Sequence, residues 1–294
     1  MGPIVLIAFL IVSFFSCTTN DLSQAEEADR MVDSLIQISR LNDHIVLVSF
    51  GADAVTAVNT EKGIVVIDAG ISTGLTTKFR KRIEAEFQSS NFAYVINTHA
   101  HPDHNGGNSV FTDAKVVGHE NGLEEIEEQW ANTSKVMLAL QKIVEEYNSK
   151  LKACKWYSDD WYDAFKQLTR YQYAYLDVKN SVSIKKPNVT FSDSLNIAMG
   201  DITFEMKYFG KCHSNSDIFI FIPELKVLFS GDLIFQYGRP SINDKDLEEM
   251  ELWRRAVLWT EKRLHNIDII ISGHGQILSI DDLKSFNRII LEQG

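Results

Sequence analysis

Asn97-Thr98-His99-Ala100-His101-Pro102-Asp103-His104 is the stretch that decides how this chain is read. Three histidines and a carboxylate fall between His99 and His104, in a sequence that holds only 8 histidines in all. Neutral imidazole is the commonest protein ligand for zinc, and a carboxylate can complete a ligand set. The residues just before, Ala93-Tyr94-Val95-Ile96, are apolar and β-prone, as expected of a buried strand. Gly106-Gly107, just after, allows a sharp turn. The cluster therefore lies where a strand gives way to a loop, a place from which several side chains can point into one mouth.

His99 and His101 are two positions apart, so on extended backbone they face the same way. Pro102 bends the path and can carry Asp103 and His104 to a second position nearby. That implies two metal ions, each needing ligands from distant sequence. Three residues at the ends of apolar, strand-like runs qualify. His213 follows Ile202–Phe209 and Gly210, Asp232 follows Val227-Leu228-Phe229-Ser230-Gly231, and His274 follows Ile269-Ile270-Ile271-Ser272-Gly273 and precedes Gly275. A lone histidine or aspartate at a strand end is usually an ordinary loop residue. Four strand ends repeating one grammar carry far more weight.

In these residues the chain resembles the metallo-β-lactamase fold superfamily of hydrolases. The matching pieces are His99-Ala100-His101-Pro102-Asp103-His104, Cys212-His213-Ser214-Asn215-Ser216-Asp217, Ser230-Gly231-Asp232, Ser272-Gly273-His274-Gly275 and, upstream, Val65-Val66-Ile67-Asp68-Ala69-Gly70. The resemblance runs from about Leu41 to the C-terminus. By position it implies that His99, His101 and His213 hold one metal, that Asp103, His104 and His274 hold the other, and that Asp232 bridges them. It implies that Asp68 stands behind the ligands and orients one of them or its loop; a turn aspartate at a strand end is the alternative. Gly238-Arg239 resembles a Gly-Arg pair of glyoxalase-type relatives, so Arg239 is either a clamp for a substrate carboxylate or a surface arginine.

The ligands are nitrogen and oxygen with no thiolate, which suits zinc and also manganese, iron or cobalt. Histidine rather than glutamate at position 101 favours two zinc ions over the di-iron relatives. Zinc brings the pKa of bound water down to about 7, and two ions can share the resulting hydroxide and polarise a carbonyl. The resemblance thus implies a dinuclear zinc hydrolase acting on a lactam, ester, lactone or thioester. A thioesterase or lactonase of a small anionic metabolite and an iron-dependent oxygenase of the same fold are the alternatives. Asp103 can also accept and pass on a proton, though its larger role is that of a ligand. Ser214 and Ser216 read as turn residues rather than nucleophiles. Only about twenty residues follow His274, room for one helix, whereas glyoxalase-type thioesterases carry a long helical domain there. That counts against a glutathione-thioester substrate.

The formal net charge of −11 and the lack of a basic stripe argue against a nucleic-acid partner, and a small-molecule substrate is expected. A charged fraction of 23% and a hydrophobic fraction of 45% are ordinary for a globular protein. Residues Ile4 to Phe15 are nearly all apolar but too few for a membrane span, so residues 1–17 read as a signal peptide. Cys17, after small Ser16, resembles the acceptor cysteine of a bacterial lipoprotein, although no lysine or arginine precedes the apolar run. That implies a periplasmic, lipid-anchored protein whose only membrane contact is the anchor; simple cleavage and secretion is the alternative. Residues 18–40 are then expected to be a polar tether. Cys154 and Cys212 do not make a disulfide framework, and Cys212 reads as a small buried hydrophobe.

Residues 41–294 read as one α/β domain. Ile45–Val48, Ala54–Val58 and Ile64–Ile67 are expected strands, Thr76–Phe87 a helix and Ala114–Val117 a strand beyond the motif. Helices are expected at Leu247–Leu264 and Asp281–Leu291. Sheets flanked by helices give a layered fold, which the resemblance sharpens to a four-layer αββα sandwich with metals at the sheet edge. Between residues 120 and 186 lies a helical insertion, its second half dense in aromatics such as Trp156, Trp161 and Tyr171. These rings either line a substrate pocket as a lid or pack the helices onto the sandwich.

Overall fold

The computed structural model describes residues 19–234 and 247–292. Cys17 and Arg239 lie outside these residues. In chain order the elements are α1 (Thr19–Leu35), β1 (Gln37–Arg40), β2 (Ile45–Phe50), β3 (Asp53–Thr60), β4 (Gly63–Ile67), α2 (Thr73–Phe87), β5 (Phe92–Ile96), a short turn of helix α3 (Pro102–Asn105) and β6 (Lys115–His119). The insertion follows as α4 (Asn121–Trp130), α5 (Thr133–Ala153) and α6 (Asp159–Lys179). Then come β7 (Val189–Phe191), β8 (Ser194–Ala198), β9 (Thr203–Tyr208), β10 (Ile218–Ile222), β11 (Val227–Gly231), α7 (Leu247–Glu261), β12 (Ile269–Ser272), β13 (Ile277–Leu278) and α8 (Ile280–Glu292).

Strands β1 to β7 form one sheet in sequence order, and β13-β12-β11-β10-β9-β8 form the second. The sheets meet face to face. Ile45, Val65, Ile67 and Ile96 from the first interleave with Phe204, Ile220, Phe229 and Ile271 from the second. The next residues along each strand point outward into a helix layer. Val46, Val66 and Val95 pack with Leu75, Phe79 and Ile83 of α2, while Phe221, Leu228 and Ile270 pack with Trp253, Leu283 and Phe286 of α7 and α8. Because both faces of the central strands are covered, Gly63-Ile64-Val65-Val66-Ile67 is apolar throughout rather than alternating. This is the expected four-layer αββα sandwich.

Two parallel pairings decide where the functional residues go. β4 runs parallel to β5 with Ile67 opposite Ile96, and β11 runs parallel to β12 with Gly231 opposite Ser272. Parallel neighbours end at the same edge. Asp68, the His99–His104 loop, Asp232 and His274 therefore all emerge there.

Residues 19–40 correct the expectation of a tether. They form α1 and the edge strand β1, which pairs antiparallel with β2. Ala28, Met31, Val32 and Leu35 fall on one helical stripe, and Ala28 and Val32 are fully buried. Lys78 of α2 reaches Asp29 at 2.7 Å and Asp33 at 3.2 Å. Among the described residues no helix is long and apolar enough to cross a membrane. Cys212 is buried, as expected. In the insertion, Trp161 and Phe165 stack at 5.4 Å and join the core outside the first sheet, so these rings hold helices in place.

Candidate metal centre

The motif loop is held by its own asparagines. Asn97 Nδ2 donates to the His104 carbonyl at 2.9 Å, Asn97 and Asn108 exchange side-chain hydrogen bonds at 3.1 and 2.8 Å, and Asn105 Nδ2 donates to the Ala100 carbonyl at 2.7 Å. Pro102 opens α3, where its missing N–H costs nothing. Gly106 and Gly107 have ordinary negative φ, −56° and −89°. They serve close approach rather than turning: an added Cβ would lie 2.3 Å from the Ile71 carbonyl oxygen at Gly106 and 2.1 Å from that of Ala69 at Gly107.

Three of the histidines, His99, His104 and His274, have the far nitrogen engaged. His99 Nδ1 lies 3.1 Å from Thr98 Oγ1, which itself donates to Asp68 at 2.8 Å. His104 Nδ1 meets Asp68 Oδ2 at 2.9 Å, and His274 Nδ1 donates to the Ala52 carbonyl at 2.8 Å. These contacts fix the tautomers and leave Nε2 of all three facing the centre. Asp68 also accepts the Thr98 N–H at 2.8 Å and adopts a left-handed φ of 58°, which aspartate tolerates better than most residues. It stands behind His104 and Thr98, the placement expected of an orienting group.

The facing atoms form two sets. His101 Nδ1 lies 3.0 Å from His99 Nε2 and 3.1 Å from His213 Nε2. At a zinc–nitrogen distance of about 2.0–2.1 Å, tetrahedral ligands stand about 3.3 Å apart, close to this spacing. In the second set Asp103 lies 3.9 Å from Nε2 of both His104 and His274. Asp232 Oδ2 sits between the sets, 3.3 Å from His274 Nε2, 3.5 Å from His104, 3.7 Å from His213 and 4.0 Å from His99. His99-His101-His213, His99-His104-Asp232 and Asp103-His104-His274 each bring their ligand atoms within 4.8 Å of one another, close enough to hold an ion. All seven residues expected as ligands converge.

The donor set fits a dication. His104 Nε2 and Asp232 Oδ1 are buried without a hydrogen-bond partner, an arrangement that costs free energy unless something else binds there. Burial pushes His99 well below the usual histidine range, with the His104 charge adding to it. For His104 burial acts the same way, but Asp68 and Asp232 outweigh it and hold the imidazole well above that range. The Asp232 contact raises His274. Asp232 itself is held well below the carboxylate range, because the facing imidazoles outweigh its burial. Without metal, then, protons on imidazoles balance a buried carboxylate. A dication can supply the same balance and release those protons.

The metallo-beta-lactamase superfamily profile matches residues 50–274, a span that contains every one of these candidate ligands. The chain belongs to the metallo-beta-lactamase superfamily. It is 20% identical over 283 residues to a metallo-beta-lactamase type 2 of Bacillus sp. (strain 170), covering 92% of this chain and 90% of that protein. With that of Bacillus cereus it shares 22% over 250 residues, 82% of this chain and 77% of the relative. A solved metallo-beta-lactamase from Pontibacter korlensis superposes with a TM-score of 0.58 at 17% identity, covering 88% of this chain and all (100%) of that one. One from Hirschia baltica gives 0.58 at 14%, covering 87% and 97%. At these identities the structures establish the superfamily fold alone.

Several residues that build the site have no role assigned to them in the sequence. Asp217 Oδ2 accepts the N–H groups of His213 and Ser214 at 2.7 and 2.6 Å and so shapes the turn that presents His213. Burial pushes its carboxyl up to about 7 against those bonds. Ala52, Asp53, Glu125 and Arg170 support the loops from elsewhere in the chain. Glu125 meets Asn215 90 residues on, Asp53 meets Arg170 117 residues on, and Ala52 meets His274 222 residues on.

The Asp68–His104 contact carries a prediction. Asp68→Asn keeps the side-chain volume but presents an amide nitrogen or a single neutral oxygen to His104 Nδ1. Zinc affinity is expected to fall about 10- to 100-fold, the usual effect of losing a partner behind a metal ligand. An equilibrium zinc titration checks it; unchanged affinity would leave Asp68 as a turn residue.

Proposed function

We propose that this chain is a dinuclear zinc hydrolase that cleaves a lactam, ester, lactone or thioester. The observation that carries the reading is Asp232 Oδ2, within 4.0 Å of imidazole nitrogens from both ligand sets. One carboxylate so placed could serve an ion held by either set. A bound zinc pair supplies a nucleophile near neutral pH and Lewis acidity toward the carbonyl. The chain supplies the shape. His99, His104 and Asp232 form a closed floor, with side chains 0%, 1% and 6% exposed. Asp103, His213 and His274 form an open rim, each about 30% exposed. Substrate approaches from the rim, where Asp103 can take a proton and pass it to solvent.

β-Lactams stand first among substrates because the curated relatives are named metallo-beta-lactamases. A thioesterase or lactonase reading is supported by Asp232 together with His104, the wider hydrolase pattern of the superfamily. The test is hydrolysis of a chromogenic cephalosporin, a lactone and a thioester by the zinc-loaded protein, with metal analysis of natively purified material. Turnover that a chelator removes and zinc restores is expected. Folded, zinc-loaded protein that cleaves none of the three would overturn the hydrolase reading, and stoichiometric iron in native material would move it to an oxygenase.

A further inference from the structure

The helical insertion grips the loops of the metal centre at two places, and each place serves a different half of it. On α4, Glu125 Oε1 accepts the Asn215 N–H at 2.7 Å, and Oε2 accepts the Ser216 hydroxyl. Ser216 Oγ in turn accepts the Ala100 N–H at 3.0 Å. Ala100 lies between His99 and His101, and Asn215 lies two residues after His213. One carboxylate thus joins both loops that present the first ligand set.

The second grip is on α6. Arg170 approaches Asp53 Oδ1 at 3.5 Å, with both side chains almost wholly buried, 4% and 1% exposed. Asp53 also accepts the Ile71 N–H at 3.2 and 3.3 Å. It follows Ala52, whose carbonyl orients His274. Ile71 belongs to the loop in which Asp68 backs His104 and the Ala69 N–H donates to the His104 carbonyl at 2.8 Å. Asp53 therefore ties the turn behind His274 to the loop behind His104, and Arg170 supplies its counter-charge. A buried ion pair is a weak source of stability, and Arg170 Nε lacks a hydrogen-bond partner even so. What the pair does secure is geometry.

We infer that the insertion is a two-armed support for the metal centre: Glu125 is the positioning residue for His99, His101 and His213, and Arg170, acting through Asp53, is the positioning residue for His104 and His274. This rests on the two-ion reading above. It gives the insertion a role other than that of a lid, and it predicts a crossed pattern that general loosening of the fold would not produce.

The experiment titrates zinc into chelator-stripped full-length protein in two backgrounds. His274→Ala leaves the first set whole, and His101→Ala leaves the second. Glu125→Ala is expected to weaken zinc binding about 10- to 100-fold in the His274→Ala background, with little change in the His101→Ala background. Arg170→Ala is expected to do the reverse, and Arg170→Lys to recover most of the loss. If Arg170→Ala fails to fold, Asp53→Asn tests the same arm, since the amide still accepts from Ile71 but no longer pairs with Arg170. Equal losses in both backgrounds, or none in either, would overturn the division of labour while leaving the metal centre intact. A wild-type chain that binds no zinc would overturn the two-ion reading itself.

Discussion

Asp232→Ala is expected to lower turnover of the zinc-loaded protein by about 10³-fold or more and to leave no more than one tightly held ion per chain. The size follows from position. Metal-assisted charge stabilisation is worth several kcal/mol in the transition state, and each 1.36 kcal/mol is about a factor of ten in rate. Among the described residues, Asp232 is the one carboxylate whose oxygen lies near nitrogens of both sets, at 3.3 Å from His274 and 3.7 Å from His213. Removing it separates two half-sites rather than trimming one. The fold should survive. Asp232 Oδ1 has no hydrogen-bond partner, so the framework leans little on it. Without the carboxylate His274 loses the main cause of its raised pKa, while His104 keeps Asp68 behind it. Zinc stoichiometry, steady-state kinetics and a far-UV spectrum decide the matter. A folded variant that keeps two ions and full turnover would remove Asp232 from the bridge. Asp232→Asn adds a finer comparison, because it keeps the volume and an oxygen while removing the charge.

The candidate metal ligands were legible in the sequence because they follow apolar runs beside small residues, and four of those runs, β4, β5, β11 and β12, lie in parallel pairs that end at one edge. Ile64–Ile67 and Ile270–Ser272 show why: both faces are buried, so the run is nearly continuous, and Asp68 and His274 come just beyond the strand ends. The same physics hid other features. Ile218-Phe219-Ile220-Phe221-Ile222 is a central, fully buried strand, yet beside the Cys212–Asp217 motif it drew no separate reading. Residues 19–35 look polar because only one stripe of α1 is apolar, and that stripe has meaning only against α2, about fifty residues on. Glu125 looks like any charged residue on an amphipathic helix. Arg170 lies among aromatics that suggested a lid, 117 residues from the aspartate it pairs with. Ligands are marked by local grammar; the groups that aim them are placed by tertiary contacts and leave no periodic trace.

Gly273 gives the sharpest test that the floor of the site is built to tolerance. A Cβ there would lie 2.3 Å from Asp232 Oδ1, 2.7 Å from His104 Cε1 and 3.2 Å from the Gly231 carbonyl carbon. Neither side chain can yield cheaply. Asp232 is short and enclosed, and His104 is pinned from behind by Asp68 at 2.9 Å. A methyl at this position therefore pushes two ligands off their places, or drives apart β11 and β12, which the Gly273 N–H joins through the Gly231 carbonyl at 2.9 Å. Gly273→Ala is expected to weaken zinc binding about 100-fold or more, at the upper end of what disturbed ligand support costs, and to cost about 1–3 kcal/mol of stability, as overpacking usually does. Gly63→Ala is the matched control. Gly63 sits in the β3–β4 turn, at the opposite end of β4 from Asp68, with φ of 118° and Asn91 within 2.9 Å of an added Cβ. Its replacement strains the backbone and should lower the melting temperature while leaving the zinc affinity of folded protein unchanged. Equal zinc losses in the two variants would mean that metal binding follows global stability. Loss in Gly273→Ala alone would show that the missing side chain is part of the site, because two ligands fill the space a methyl would need.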